Sequence, residues 1–167
     1  GDFHLIVLAP NSVQEMHDHV ALGFDLAFKY RNPALILADG AIGQMMEKVV
    51  LAPQRPRKTN EEIAEECKEW AACGKGNRKE RGFLTSPELQ SEVMEKINQR
   101  LQAKYKALEE NEVRYEAINC DDADYVIVAF GSSARICSAT VELARAEGLK
   151  VGLLRPITLY PFPSKVI

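Results

Sequence analysis

"HLIVLAPNSVQEMHDHVALGFDLAFKYRNPALILADG", residues 4 to 40, decides the class of fold. Residues 3 to 9, "FHLIVLA", form a nearly unbroken apolar run, the pattern of a strand covered on both faces in a parallel sheet. Pro10 ends it, and Ser12 with Glu15 has the spacing of a capping box that opens a helix running to Tyr30. Val13, Met16, Val20, Phe24, Ala27 and Phe28 recur at helical intervals and predict its apolar stripe. Asn32-Pro33 breaks the helix, "ALILA" at 34 to 38 reads as a second buried strand, and Asp39-Gly40 reads as a turn at its carboxyl end. The unit is β-α-β, and the fold class is α/β.

A second unit of this kind lies at the other end of the sequence. "YVIVAF" from Tyr125 is a buried strand, "GSSARI" turns into a helix that Gly148 closes, and "KVGLLRP" is the next strand. Prolines 156, 161 and 163 then turn the chain out of the sheet, and residues 164 to 167 read as a first helical turn. Between the two units, "VVLAPQRPRKT" is an extended exit segment, and Thr59 with Glu62 opens a short helix carrying Ile63, Cys67 and Trp70 on one face. "GKGNRKERG" is a polar loop that lacks the strand and helix flanks of a P-loop. The next helix is expected from Ser86 as N-cap and Pro87 as first residue, with an apolar stripe of Leu89, Val93, Ile97, Leu101, Tyr105 and Leu108. Neither unit holds enough strands for a complete sheet, so the chain reads as a piece of something longer.

Composition narrows the function. With 21 Lys and Arg against 24 Asp and Glu, the net charge is −3, so no broad basic surface argues for nucleic acid. The longest apolar runs fall far short of the roughly 20 residues that span a bilayer, which predicts no membrane partner and a cytoplasmic home. Cys67, Cys73, Cys120 and Cys137 lack metal-ligand spacing and read as free thiols. His17 and His19 stand about 200° apart on a helix and read as surface residues. No metal site is expected.

Two strand ends attract a ligand reading. In open α/β sheets ligands sit outside the carboxyl ends of the strands, where Asp39, Gly40, Gly43 and Gln44 begin the segment after "ALILA". A plain turn explains Asp39-Gly40 equally well. Gly131, Ser132 and Ser133 lie at a helix N-terminus with Arg135 in the first turn, suited either to ordinary N-capping or to holding an anionic ligand or partner. Arg155 is a strand-end cation of unassigned use. No catalytic constellation stands in these residues.

The strings themselves go further. Residues 4 to 51 closely resemble the alpha subunit of thiamine diphosphate-dependent 2-oxoacid:ferredoxin oxidoreductases, most like the 2-ketoisovalerate type, and so does "ADYVIVAFGSSARICSATVELARAEGLKVGLLRPITLYPFP". "KEWAACGKG" and "LQAKYKALEENEVRYE" between them follow the family's order. The resemblance implies that residues 1–50 end a pyrimidine-binding-type domain, 51–120 form a linker with two helices, and 121–167 begin a transketolase C-terminal-like domain. It also implies thiamine diphosphate and Mg²⁺ held mainly by a beta subunit, and iron–sulfur clusters in other subunits. Coenzyme A is then a co-substrate, and the partners are a small ferredoxin-like subunit, ferredoxin and the 2-oxoacid. The acidic residue that engages the pyrimidine belongs ahead of residue 1, and Lys48 replaces the expected proline of the exit segment. The resemblance places Arg155 at a domain or subunit junction. The competing reading is a noncatalytic interaction module, or a domain of a pyruvate or 2-oxoglutarate oxidoreductase.

Overall fold

The computed structural model describes residues 3–68, 70, 71, 86 and 88–167. These fall into two compact units, one of residues 1–51 with 100–167 and one of residues 52–99. Among the described residues six strands and five helices follow one another: β1 (Ile6–Leu8), α1 (Val13–Tyr30), β2 (Ala34–Ile36), α2 (Gly40–Gln44), α3 (Asn60–Glu66), α4 (Ser91–Asn111), β3 (Tyr115–Ile118), β4 (Tyr125–Val128), α5 (Gly131–Ala146), β5 (Val151–Pro156) and β6 (Thr158–Tyr160). The fold is mixed α/β. Among the described residues no helix is long and apolar enough to cross a membrane.

The larger unit holds two three-stranded sheets, ordered β2-β1-β6 and β3-β5-β4. Each contains the expected parallel pair, β1 with β2 and β4 with β5. Each also gains an antiparallel strand that the sequence reading missed, β6 on β1 and β3 on β5. The correction at β6 matters most. The proline-rich tail does leave β5's sheet at Pro156, as expected, but within two residues it enters the other sheet instead of starting a helix. Thr158 fixes the crossing: its backbone amide and hydroxyl both donate to the Arg114 carbonyl, at 3.0 and 3.2 Å, and the hydroxyl accepts from the Arg114 amide at 2.9 Å.

Local signals set most helix ends. Ser12 is the N-cap of α1 and its hydroxyl accepts from the Glu15 amide at 3.1 Å. The expected reciprocal half of the box is absent, because the Glu15 carboxylate takes the Asn11 amide and an arginine instead. At α5, Gly148 adopts φ +87°, Gly148 N–H donates to Arg145, and Leu149 N–H donates to Ala144, which closes the helix in a Schellman turn. Asp39 proves to be the N-cap of the short helix α2, where a simple turn was expected. Helix α4 begins at Ser91, so Ser86 is not its N-cap, and Pro87 and the glycine-rich loop lie outside the described residues. In the smaller unit, Thr59 and Glu62 form the full capping box of α3.

Half of the stripe expected to face the core of α1 is exposed, while Val13, Met16 and Ala27 are half-buried. His19, Gly23 and Leu26 are the buried residues, whereas Val20, Phe24 and Phe28 are 46%, 65% and 53% exposed. Gly23 brings α1 down onto Ala34 and Leu8, and Leu26 meets Ile6 and Leu108 of α4 in the core, with Leu22, Tyr30, Tyr105 and Tyr160 around them. Burying each such side chain contributes about 2 kcal/mol. His19 is therefore a core histidine and not a surface one.

The end of α4 is anchored by Glu112, whose side chain is only 4% exposed. It accepts from Lys29 Nζ at 2.6 Å, Tyr30 Oη at 2.7 Å and Arg114 Nη2 at 2.9 Å. Burial pushes its carboxyl up, but these three donors outweigh it and leave it below the usual carboxylate range. Its contribution to stability is thus complete above pH 4.5 and fades as the pH falls through the lowered value. Glu112→Leu is expected to cost about 2 kcal/mol in a urea titration, because Lys29 can return to water while Tyr30 and Arg114 lose a charged acceptor.

Candidate functional site

The carboxyl ends of β1, β2 and β4 lead into α1, α2 and α5, and Asp39, Gly131 and Ser132 of the residues singled out in the sequence meet there. Gly131 begins α5 with φ +60°, a conformation that favours glycine, and its Cα side packs near Asp39, whose Oδ2 would lie 3.5 Å from a Cβ there. The Asp39 carboxylate divides its oxygens between two helices. Oδ1 accepts from the Ile42 amide of α2 at 2.9 Å, and Oδ2 accepts from the Ser132 amide of α5 at 3.1 Å.

This arrangement corrects the N-cap reading of Ser132 and Ser133. Phe130 occupies the N-cap position of α5 and supplies no side-chain bond, so the cap comes from Asp39, 93 residues away in sequence. A helix N-terminus favours an anion, and the anion here is the chain's own carboxylate. The hydrogen bond with Ser132 and the Ile42 amide hold the Asp39 carboxyl below its usual range. Gly43, Gln44 and Ser133 are exposed at the surface.

Arg135 is committed as well. Its Nη2 lies 2.5 Å from Glu47 Oε1, while Glu47 Oε2 accepts from the Val13 amide at 2.9 Å. Gln14 and Val50 exchange two hydrogen bonds, at 2.7 and 3.1 Å, so residues 39 to 50 run as a strap fastened to the first turns of both α1 and α5. The Arg135 ion pair first, then the Val13 amide, lower the Glu47 carboxyl.

Arg155 sits deepest, its side chain 5% exposed in the middle of β5's buried run. Its two terminal nitrogens grip both oxygens of Glu15 at 2.8 Å each, and Nε donates to Glu116 of β3 at 2.8 Å. Burial pushes the Glu15 carboxyl up, yet the Arg155 bond and charge and the Asn11 amide prevail, leaving it lowered. The fork therefore ties helix α1 of the first sheet to strands β3 and β5 of the second.

The sequence reading named the cations but missed the carboxylates that take them, Glu15, Glu47 and Glu116. One signal was available: an arginine inside an apolar strand requires buried acceptors, and Glu15 at a helix start faces that way. What the cluster can do chemically follows from these commitments. Glu15, Asp39 and Glu47 each already serve at least two donors, and both arginines are paired, so within this chain these charges are satisfied by one another and by backbone amides. Among the described residues no three His, Cys, Asp or Glu side chains come together to hold a metal ion, and Cys67, Cys120 and Cys137 are free thiols.

The sheet-and-helix fold has a solved counterpart. The 2-oxoglutarate:ferredoxin oxidoreductase from Magnetococcus marinus, with 2-oxoglutarate, coenzyme A and succinyl-CoA bound, superposes with a TM-score of 0.67. The match covers 95% of this chain and 31% of that one at 22% identity, and so shows the fold alone. The class is therefore the α/β architecture of such oxidoreductases. The family model for pyruvate flavodoxin/ferredoxin oxidoreductase, thiamine diphosphate-binding, matches residues 1–112, and the chain belongs to that family. Residues 123–167 match pyruvate:ferredoxin oxidoreductase core domain II.

Curated relatives agree. The ketoisovalerate oxidoreductase subunit VorB of Methanothermobacter marburgensis is 48% identical over 167 residues, covering all of this chain and 46% of that protein. The 2-oxoglutarate synthase subunit KorA of Methanocaldococcus jannaschii is 33% identical over 186 aligned positions, covering all of this chain and 50% of that protein. The chain thus spans about half the length of the curated relatives it matches.

Proposed function

We propose that the chain is part of the alpha subunit of a 2-oxoacid:ferredoxin oxidoreductase acting on a branched 2-oxoacid, 2-ketoisovalerate. The carrying observation is the match of the whole chain to ketoisovalerate oxidoreductase subunits at 48% identity, against 33% for a 2-oxoglutarate synthase subunit. In this reading the 2-oxoacid loses its carboxylate as CO₂ on thiamine diphosphate, the acyl group passes to coenzyme A, and the electron pair leaves through iron–sulfur clusters to ferredoxin. A beta subunit holds most of the diphosphate and Mg²⁺ contacts, other subunits carry the clusters, and the assembly works in the cytoplasm. Residues 1–50 close a pyrimidine-binding-type domain, 51–120 link, and 121–167 open a transketolase C-terminal-like domain.

The role of this chain's own residues is then positional. The committed state of Asp39, Glu47, Arg135, Glu15 and Arg155 supports a junction that holds two α/β pieces in register, with the reacting carboxylate supplied elsewhere. The test is to purify the complex through the full-length polypeptide and assay viologen reduction with coenzyme A and 2-ketoisovalerate, 2-oxoglutarate or pyruvate. The expected result is co-purification of a cluster-bearing partner and the highest kcat/KM on 2-ketoisovalerate. Preference for either other acid would overturn the substrate assignment. A stable lone polypeptide without 2-oxoacid-dependent reduction would favour the interaction-module reading.

A further inference from the structure

The junction contains one group that its bonding leaves unexplained. His19 lies on α1 one turn beyond Glu15, is 7% exposed, and its Nδ1 is closed off from solvent with no hydrogen-bond partner among the described residues. An unmet ring nitrogen in that position is a standing cost, and such a cost marks a group whose state can change. The charges that face it come from three elements. Glu15 and Asp18 stand on its own helix, Arg155 on β5, and Arg114 on the segment leading into β3. Arg155 and Arg114 are themselves held by Glu116 and Glu112.

We propose that His19 is a pH-sensing pin: neutral, it leaves the Arg155–Glu15 fork intact, and on taking up a proton it competes with Arg155 for Glu15 and loosens the tie between the two sheets. The balance of forces gives the direction. Burial opposes the charged ring, and so do the two guanidinium groups, whereas Glu15 and Asp18 favour it; the net result holds the ring below its usual value of 6.5. Because the folded chain then binds fewer protons than the unfolded chain, this contribution to stability is complete above pH 6.5 and is lost as the pH falls below it. Once charged, the ring has Glu15 and Asp18 within a helical turn, and of these Glu15 is the one whose two oxygens Arg155 uses.

The experiment uses the full-length polypeptide with His19 intact, with His19→Gln, and with His17→Gln as the exposed-histidine control. Denaturant midpoints are measured at about pH 5.5 and about pH 7.5. The wild type and His17→Gln are expected to lose stability on acidification, and His19→Gln to lose distinctly less. The same acid loss in His19→Gln, or no loss in the wild type, overturns the proposal. Should His19→Gln fail to fold, hydrogen exchange of the wild type decides, corrected for intrinsic rates: weaker protection of the amides of residues 9–20 at the lower pH supports the pin, and unchanged protection overturns it.

Discussion

Gly152→Ala is expected to cost about 3 kcal/mol of folding free energy, at the upper end for overpacking a core position. Gly152 lies on β5, the central strand of its sheet, opposite Val126 of β4. A Cβ there would stand 2.8 Å from the Asn119 carbonyl oxygen, 3.0 Å from Cys120 Cα and 3.1 Å from Cys120 Sγ. Two of those three atoms are backbone, and the backbone cannot step aside. Arg145 Nη2 donates to the Asn119 carbonyl at 2.7 Å while its Nε donates to the Val151 carbonyl at 2.7 Å, and Cys120 Sγ donates to the Leu153 carbonyl at 3.3 Å. The loop after β3 is thus pinned to β5 on both sides of the glycine. A urea titration of the full-length polypeptide checks the cost, and Gly43→Ala is the control. Nothing stands within 4 Å of a Cβ at Gly43, inside α2, so that variant is expected to be neutral or to gain up to about 1 kcal/mol from helix propensity.

Arg155→Met is expected to be equally damaging, about 3 kcal/mol, the low end for breaking a buried pair because Glu15 keeps some solvent access. Removing the guanidinium leaves the Glu15 and Glu116 carboxylates facing each other with no cation between them. Arg155→Lys is expected to recover only part of the loss, since an ammonium cannot serve three oxygens in a fixed fork. The acid limb of the stability profile carries a second signature. Glu15 has a lowered value in the fold, so its contribution is complete above pH 4.5 and disappears as the pH falls through the lowered value. In Arg155→Met that part of the acid slope is expected to shrink, which a stability profile across the acid range measures directly. Loss of stability with an unchanged acid slope would mean that the arginine acts by packing and not through Glu15.

What could be read without the structure was local. The Ser12 cap of α1, the Thr59 box of α3 and the Gly148 close of α5 depend on residues within five positions of one another, and the apolar runs at β1, β2, β4 and β5 need no partner to be recognised. The two β-α-β units and the α/β class follow from them. The α4 start was misplaced because Ser86-Pro87 offers a sound local signal four residues early.

Long-range choices were not legible. Periodicity shows that α1 carries an apolar flank at Val20, Phe24 and Phe28, but the sheet takes the flank with Gly23, where the smallest side chain permits the closest approach. Strand β6 hides among prolines whose local meaning is to end a sheet, and it exists because β1 offers an open edge. The two strand ends named as ligand candidates do come together, yet they satisfy each other: Asp39 caps α5, Glu47 holds Arg135, and Glu15 and Glu116 share Arg155. Sequence alone determined which groups are charged and where the two β-α-β units lie. Only the tertiary structure decided which charges meet, because pairing across 39 to 140 residues depends on how the two sheets are joined and not on any local spacing.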